Sequence, residues 1–130
     1  MMSARILVVE DNADMHLGIA LRLQSAGHTV LSAMDGDDAV HVALSQRPDL
    51  ILLDIGLPGQ SGHSVARTLA AHDDTRAIPI IFLTARHETQ HRIKAAEGRA
   101  AAFLVKPCSP DKLLRTIESV VNPPPVPADS

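Results

Sequence analysis

Four apolar runs in this 130-residue chain are each followed by polar residues that could carry out chemistry. These residues are Glu10 with Asp11, then Asp54, Thr84 and Lys106. Three carboxylates that meet at one place repel one another, and either proton uptake or a bound cation relieves that repulsion. Oxygen ligands favour a hard cation, and Mg²⁺ suits a small acidic site that keeps positions open for water or phosphate.

The same side chains could support phosphoryl transfer. A carboxylate can attack phosphorus to form an aspartyl phosphate. The charge that arrives with the phosphoryl group then requires a cation and a hydroxyl donor close by. Mg²⁺, Lys106 and Thr84 would provide these groups, provided that the fold brings the separate segments together.

The elements that would position these residues alternate between strand and helix. Short aliphatic or β-branched runs predict five strands, at residues 5–9, 29–33, 50–53, 80–83 and 102–105. Helical spacing and capping residues predict helices at residues 13–26, 38–46, 63–71 and 110–121. A further short helix is predicted near residue 87, between the fourth and fifth strands.

Local signals define several of these helix ends. In the first helix, apolar residues recur at helical spacing, namely Leu17, Ala20, Leu21 and Leu23. Gly27 suits the end of that helix, because glycine readily adopts the conformation that terminates helices. Asp37 is the predicted N-cap of the second helix, and Ser109 followed by Pro110 predicts the start of the last one.

Repeated alternation of strand and helix predicts a doubly wound, three-layer α/β domain with a five-stranded parallel sheet. Parallel strands need long crossover connections, and their helices cover both faces of the sheet. We expect one domain over residues 1–121 and a Pro-rich tail, or the start of a linker, over residues 122–130. Because ligands bind at the carboxyl edge of such sheets, the polar residues that end the strands should meet there.

Composition restricts the partners. The net charge is −3, and the chain has two Phe but no Tyr or Trp, so direct binding to nucleic acid is not expected. No apolar run approaches the roughly 18 residues that cross a bilayer, so neither membrane insertion nor secretion is expected. Cys108 is the single cysteine, which fits a reducing compartment and a cytoplasmic location.

Four motifs at the predicted strand ends together resemble the receiver domains of response regulators, which act in two-component phosphorelay systems. The motifs are E-D-N at 10–12, L-L-D-I-G-L-P-G at 52–59, F-L-T-A at 82–85 and F-L-V-K-P at 103–107. The resemblance covers about residues 4–121. It implies a flavodoxin-like sheet with strand order 2-1-3-4-5, which the spacing of the motifs does not supply.

The resemblance also assigns roles within the acidic site. It implies that Asp54 is the phosphorylated residue. It implies direct Mg²⁺ ligation by Asp11, Asp54 and the carbonyl oxygen of Gly56, with Glu10 acting largely through water. Lys106 would pair with the phosphoryl oxygens.

A switch and a set of partners are implied as well. The Thr84 hydroxyl would move toward the phosphoryl group and change the rotamer of Phe103, which stands where a tyrosine is common. The Lys106–Pro107 peptide would be cis. A histidine kinase or histidine phosphotransfer protein would donate the phosphoryl group, the domain would assist its own dephosphorylation, and the fourth helix, fifth strand and fifth helix would contact a downstream effector protein.

Two other functions are compatible with parts of the sequence. His87, Glu88 and His91 match H-E-x-x-H, in which two histidines bind zinc and the glutamate acts as the base of a peptidase. A peptidase would need a third ligand and a substrate cleft, and this motif stands among basic residues. A receiver-like binding module that is not phosphorylated would be expected to have lost its acids or its lysine, and this chain has both.

Overall fold

A computed structural model describes residues 3–57, 60–85 and 100–122 of the chain. The strands are β1 (Arg5–Val9), β2 (Thr29–Ala33), β3 (Leu50–Asp54), β4 (Ile80–Ala85) and β5 (Ala102–Lys106). The helices are α1 (Ala13–Ser25), α2 (Gly36–Gln46), α3 (Gly62–Ala70) and α4 (Pro110–Val121). The helix predicted near residue 87 lies outside the described residues, so α4 is the fifth helix of the sequence prediction.

The five strands form one parallel sheet in the order β2-β1-β3-β4-β5. This order and the three-layer α/β architecture confirm the predicted fold class. The order reverses beside β1, so β1 and β3 flank the crevice in which ligands bind to sheets of this kind. Among the described residues, no helix is both long and apolar enough to cross a membrane.

The described residues form two apolar core clusters, one on each face of the sheet. One cluster joins the sheet to α2 and α3, and includes Leu7, Val9, Ile51, Leu53 and Phe82. The other joins it to α1 and α4, and includes Ile6, Val8, Leu52, Leu83 and Leu104. Successive side chains of a strand point to opposite faces, and the strands divide between the two clusters accordingly.

Three strands extend further than predicted. β3 includes Asp54, β4 includes Thr84, and β5 includes Lys106. Each polar residue therefore belongs to the hydrogen-bonded sheet, whereas the sequence indicated that it would follow the strand. This placement ties each polar side chain to a fixed position along the sheet edge.

The capping prediction for α2 was wrong. The N-cap is Asp35, whose Oδ1 accepts a hydrogen bond from the Asp38 amide at 2.8 Å. Asp37 lies within the first turn, where its charge suits the helix dipole. At the end of α1, Gly27 has φ of +94° immediately after the cap residue Ala26, so its backbone adopts the conformation that glycine favours.

The apolar spacing that predicted α1 did not identify the side of the helix that packs on the sheet. Leu17 and Leu21 are 58% and 54% exposed. Of the four apolar residues that predicted the helix, Leu23 is buried, and the other buried residue of α1 is His16. A polar side chain therefore occupies a core position on this helix, directly after the turn that carries Glu10 and Asp11.

Gly62 at the start of α3 is in close contact with the backbone at the end of β3. A Cβ atom at this position would lie 2.4 Å from the Asp54 carbonyl oxygen and 2.8 Å from the Ile55 Cα. The Gly62 amide also donates to the Ile55 carbonyl at 3.0 Å. The loop after Asp54 therefore returns onto that residue, and only glycine leaves room for this return.

We expect Gly62→Ala to destabilise the fold by roughly 2 to 3 kcal/mol, because the methyl group would displace backbone that cannot yield as a side chain would. Urea unfolding measures this loss. Gly18→Ala is the matched control, since a Cβ at Gly18 meets nothing within 4 Å and alanine in a helix interior should add about 0.5 to 1 kcal/mol. Equal stability of the two variants would contradict the contact.

Candidate acidic site at the carboxyl edge of the sheet

Sheet register brings three site residues to one face at the carboxyl edge. Val9 pairs with Leu53, so Glu10 and Asp54 come next on adjacent strands. By alternation, both side chains leave the sheet on the face that packs against α1 and α4. Lys106 lies two residues after Leu104, a member of the same cluster, and therefore leaves by that face too.

The Lys106 ammonium group bridges the two carboxylates. Its Nζ donates to Glu10 Oε1 at 2.9 Å and to Asp54 Oδ2 at 3.0 Å. The side chains are 1% exposed at Glu10, 7% at Asp54 and 17% at Lys106. Because little water reaches this pair of ion contacts, they are much stronger than ion pairs on an open surface.

The remaining carboxylate oxygens accept backbone hydrogen bonds. Glu10 Oε2 accepts from the Asn12 amide at 3.1 Å, and Asp54 Oδ1 accepts from the Gly56 amide at 2.9 Å. In each buried carboxylate, one oxygen thus accepts a hydrogen bond from Lys106, and the other accepts one from a backbone amide in the turn that follows its own strand. This arrangement fixes the orientation of both groups.

Asp11 completes an acidic cluster and is exposed. Glu10, Asp11 and Asp54 each offer a carboxylate oxygen, and these oxygens lie within 4.8 Å of one another. Three ionised carboxylates and one ammonium group leave two negative charges at the site. The cluster could therefore bind a metal ion, and its ligand type and residual charge suit a divalent, oxygen-preferring cation.

Burial and charge shift two pKa values in the site. Burial raises the pKa of Glu10 above its ordinary value, although the Asn12 amide and Lys106 act in the opposite direction. Burial alone would lower the pKa of Lys106, but hydrogen bonds to Glu10 and Asp54 outweigh it and raise that pKa. The lysine therefore stays charged while Glu10 takes up a proton more readily than a solvated carboxyl group.

Other residues predicted for the site lie around this cluster. Thr84 is buried, and its hydroxyl donates to the Ala85 carbonyl at 3.3 Å. Phe103 is half-buried and stacks on Phe82 with ring centroids 5.6 Å apart. Gly56 is exposed immediately after Asp54, and the Lys106–Pro107 peptide bond is cis.

Sequence reasoning missed two residues that support the site. Gly62 directly precedes the helix predicted at residues 63–71 and was given no role, because its role depends on a tertiary contact that local patterns do not reveal. His16 was not singled out, although a histidine seven residues before the core residue Leu23 interrupts the buried side of a helix. The H-E-x-x-H motif at His87, Glu88 and His91 lies outside the described residues.

Sequence comparisons relate this chain to two-component signalling proteins. The family model for the response regulator receiver domain matches residues 6–118. The protein PilH of Pseudomonas aeruginosa is 35% identical over 118 residues, which covers 91% of this chain and 98% of PilH. The phosphate regulon transcriptional regulatory protein PhoB of Escherichia coli is 40% identical over 121 residues, and the match spans about half of PhoB, 53% of its length.

A solved structure extends the comparison to three dimensions. The receiver domain of a sensor histidine kinase from Pseudomonas aeruginosa, solved with a magnesium ion in its active-site cleft, is similar with a TM-score of 0.84. The two chains are 34% identical, and the match covers 92% of this chain and 98% of that one.

We expect Lys106→Ala to destabilise the metal-free protein by about 2 to 3 kcal/mol, because it leaves two buried carboxylates without their shared cation. Chemical unfolding in a chelating buffer measures the change. Lys112→Ala provides the control, since Lys112 is exposed on α4 and its loss should change stability by less than about 0.5 kcal/mol. Similar losses in the two variants would show that the bridge does not stabilise the fold.

The loss of folding stability caused by Lys106→Ala should become smaller as the pH falls. Burial already raises the pKa of Glu10 above its ordinary value of 4.5, and Lys106 opposes that rise. Without the lysine, the folded state binds a proton at Glu10 more readily than the unfolded state does, so acid favours folding of the variant relative to the parent. Chemical unfolding at pH 7 and at about pH 5 measures this change, and the free energies of unfolding of parent and variant should differ less at the lower pH.

Proposed function

Because this chain belongs to the response regulator receiver domain family, we propose that Asp54 accepts a phosphoryl group from a histidine kinase or a histidine phosphotransfer protein. Receiver domains take phosphoryl groups from histidine kinases and regulate effector domains. The observation that carries the assignment is the shared contact of Lys106 with Glu10 and Asp54. A buried carboxylate between an ammonium group and a backbone amide is held in one orientation, as a nucleophile requires.

In the proposed reaction, a carboxylate oxygen of Asp54 attacks the phosphorus of phosphohistidine. An O–P bond forms, the P–N bond breaks, and its electron pair stays with the departing imidazole, which takes up a proton. Asp54 Oδ1 is held by the Gly56 amide at 2.9 Å and Oδ2 by Lys106 at 3.0 Å. These two contacts present the carboxylate to an incoming phosphoryl group in a single orientation.

We assign Mg²⁺ as the cation of the site, bound by Asp11, Asp54 and the Gly56 carbonyl, with Glu10 acting largely through water. When bound, Mg²⁺ would neutralise charge that develops on the transferred phosphoryl oxygens. The acidic cluster supports this choice, because its three carboxylates lie within 4.8 Å of one another and retain two negative charges beside Lys106. Asp11 is the exposed member of the cluster, so its carboxylate is the one that a cation from solvent reaches most readily.

After transfer, Lys106 would exchange part of its contact with Asp54 for a phosphoryl oxygen. Its raised pKa keeps the ammonium group charged throughout. The contact with Glu10 would hold the lysine at the site during this exchange. Slow hydrolysis of the acyl phosphate would then return the domain to its resting state, so the domain would assist both its phosphorylation and its dephosphorylation.

The proposed output begins at Thr84. Its hydroxyl bonds only weakly to the adjacent carbonyl, at 3.3 Å, and could turn to a phosphoryl oxygen instead. Phe103 packs on Phe82 from the neighbouring strand, so its two rotamers would differ by packing alone. A shift of this kind would change the surface of β5 and α4, where Val105 is 48% exposed, together with the segment between β4 and β5.

We further propose that residues 1–121 act as the receiver unit and that residues 122–130 form a tail or the start of a linker. The end of α4 at Val121 supports this boundary.

The net charge of −3 supports an effector that is a protein and argues against direct contact with nucleic acid. The free thiol of Cys108 suits a cytoplasmic location.

Asp54→Asn should abolish phosphorylation. We expect the parent to gain the mass of one phosphoryl group when it is incubated with acetyl phosphate and Mg²⁺, as measured by intact mass spectrometry. Asp14→Asn is the control, because Asp14 is an exposed acid in the first turn of α1 and should leave the adduct unchanged. An unmodified parent, or an undiminished adduct on Asp54→Asn, would contradict the assignment of Asp54 as the phosphorylated residue.

Asp11→Asn should lower the affinity for Mg²⁺ about tenfold or more, because it removes a charged ligand while leaving Lys106, Glu10 and Asp54 in contact. Isothermal titration calorimetry without a phosphodonor measures this affinity. Asp14→Asn again serves as the control. If Asp11→Asn binds Mg²⁺ as tightly as the parent, Asp11 is not a ligand.

A further inference from the structure

His16 is a buried polar side chain to which the proposed reaction gives no role. It is 8% exposed and lies on the same side of α1 as Leu23, two helical turns further on. That side packs against the sheet, and an aliphatic residue would fill it without a polar group. Burial of an imidazole in the core costs stability unless the ring makes a polar interaction that an apolar side chain cannot make. A polar partner of the His16 ring is therefore expected.

One ring nitrogen of His16 contacts the strand that carries the acidic cluster. Nδ1 lies 3.1 Å from the Glu10 carbonyl oxygen. A carbonyl oxygen can only accept, so the proton must reside on Nδ1 and the bond defines the tautomer. Nε2 is then an acceptor, and it finds no hydrogen-bond partner among residues 3–57, 60–85 and 100–122. Buried polar atoms without partners are rare, and each calls for an explanation.

The His16 bond spans the turn that holds Asp11. Three other bonds cross part of this turn. The Asn12 amide donates to Glu10 Oε2 at 3.1 Å, the His16 amide donates to the Asn12 carbonyl at 2.9 Å, and the Asn12 side chain accepts from the Met15 amide at 2.9 Å. The first involves the Glu10 side chain, and the other two join α1 to Asn12. Among the described residues of α1, the His16 ring makes the bond to the Glu10 backbone, so it ties the helix to the start of the turn that holds Asp11.

We propose that His16 is a positioning residue for the cation site: its Nδ1–H holds the Glu10 carbonyl and thereby fixes the distance of Asp11 from Asp54. This inference rests on the proposed function, because the position of Asp11 matters only if a cation binds there. Asp54, Glu10 and Lys106 have contacts of their own. Loss of His16 should therefore weaken cation binding and leave the phosphoryl-accepting group in place.

Three substitutions separate this role from simple packing. In His16→Asn the side-chain amide nitrogen lies near the position of Nδ1, whereas in His16→Gln it lies near that of Nε2. His16→Leu fills the core without any donor or unpaired acceptor. We expect His16→Asn to bind Mg²⁺ within about twofold of the parent, and His16→Gln and His16→Leu to bind it about tenfold more weakly, a typical effect of removing an outer-shell partner.

Two readouts distinguish positioning from stability. The rate of phosphorylation by acetyl phosphate should approach the parent rate at saturating Mg²⁺ in all three variants, with only the half-saturating Mg²⁺ concentration raised in His16→Gln and His16→Leu. Thermal unfolding without Mg²⁺ should show His16→Leu at least as stable as His16→Gln. If His16 served only for packing, His16→Leu would be stable and would also keep the Mg²⁺ affinity of the parent.

Nitrogen-15 NMR of the metal-free parent tests the geometry without any activity. The proton of His16 should reside on Nδ1, and a proton on Nε2 would overturn the inference. Equal Mg²⁺ affinity in all variants, or equal losses in His16→Asn and His16→Gln, would also overturn it while the proposed function stands. A parent that shows the Nδ1 proton but no Mg²⁺-dependent adduct would instead contradict the proposed function, and a parent that binds no Mg²⁺ would overturn both.

Discussion

The ammonium group of Lys106 lies between two carboxylates that arrive from different strands, and the rest of the site depends on this contact. Glu10 and Asp54 are both buried, and neither could remain charged at low exposure without a partner. One lysine is shared between them, so the site keeps an excess of negative charge that attracts a cation. In the proposed chemistry, the same lysine would contact the phosphoryl group while it keeps its contact with Glu10.

Contacts outside the sheet position this site from two sides. Gly62 lets α3 begin against the Asp54 carbonyl, which fixes the loop that carries Gly56. On the other side, the His16 ring ties α1 to the Glu10 carbonyl. These contacts position the cluster together with the sheet.

Much of this arrangement could be predicted from the sequence, because it follows from periodicity. Apolar runs that end in Glu10, Asp54 and Lys106, together with the rule that parallel strands share one carboxyl edge, predicted the cluster, whereas the strand order came from family resemblance. What the sequence did not reveal depends on tertiary contacts. On α1, His16 lies in the core together with Leu23, whereas Leu17 and Leu21 are exposed. The second helix begins at Gly36, two residues earlier than predicted, so Asp35 is its cap.

In the proposed function, Asp54 is the one carboxylate of this cluster that forms the acyl phosphate. Borohydride reduction after incubation with acetyl phosphate and Mg²⁺ would convert a phosphorylated aspartate to homoserine, which peptide sequencing by mass spectrometry can locate. We expect homoserine at position 54 in the parent, and none when Mg²⁺ is removed. Homoserine at position 11, or reduction that is independent of Mg²⁺, would contradict this proposal.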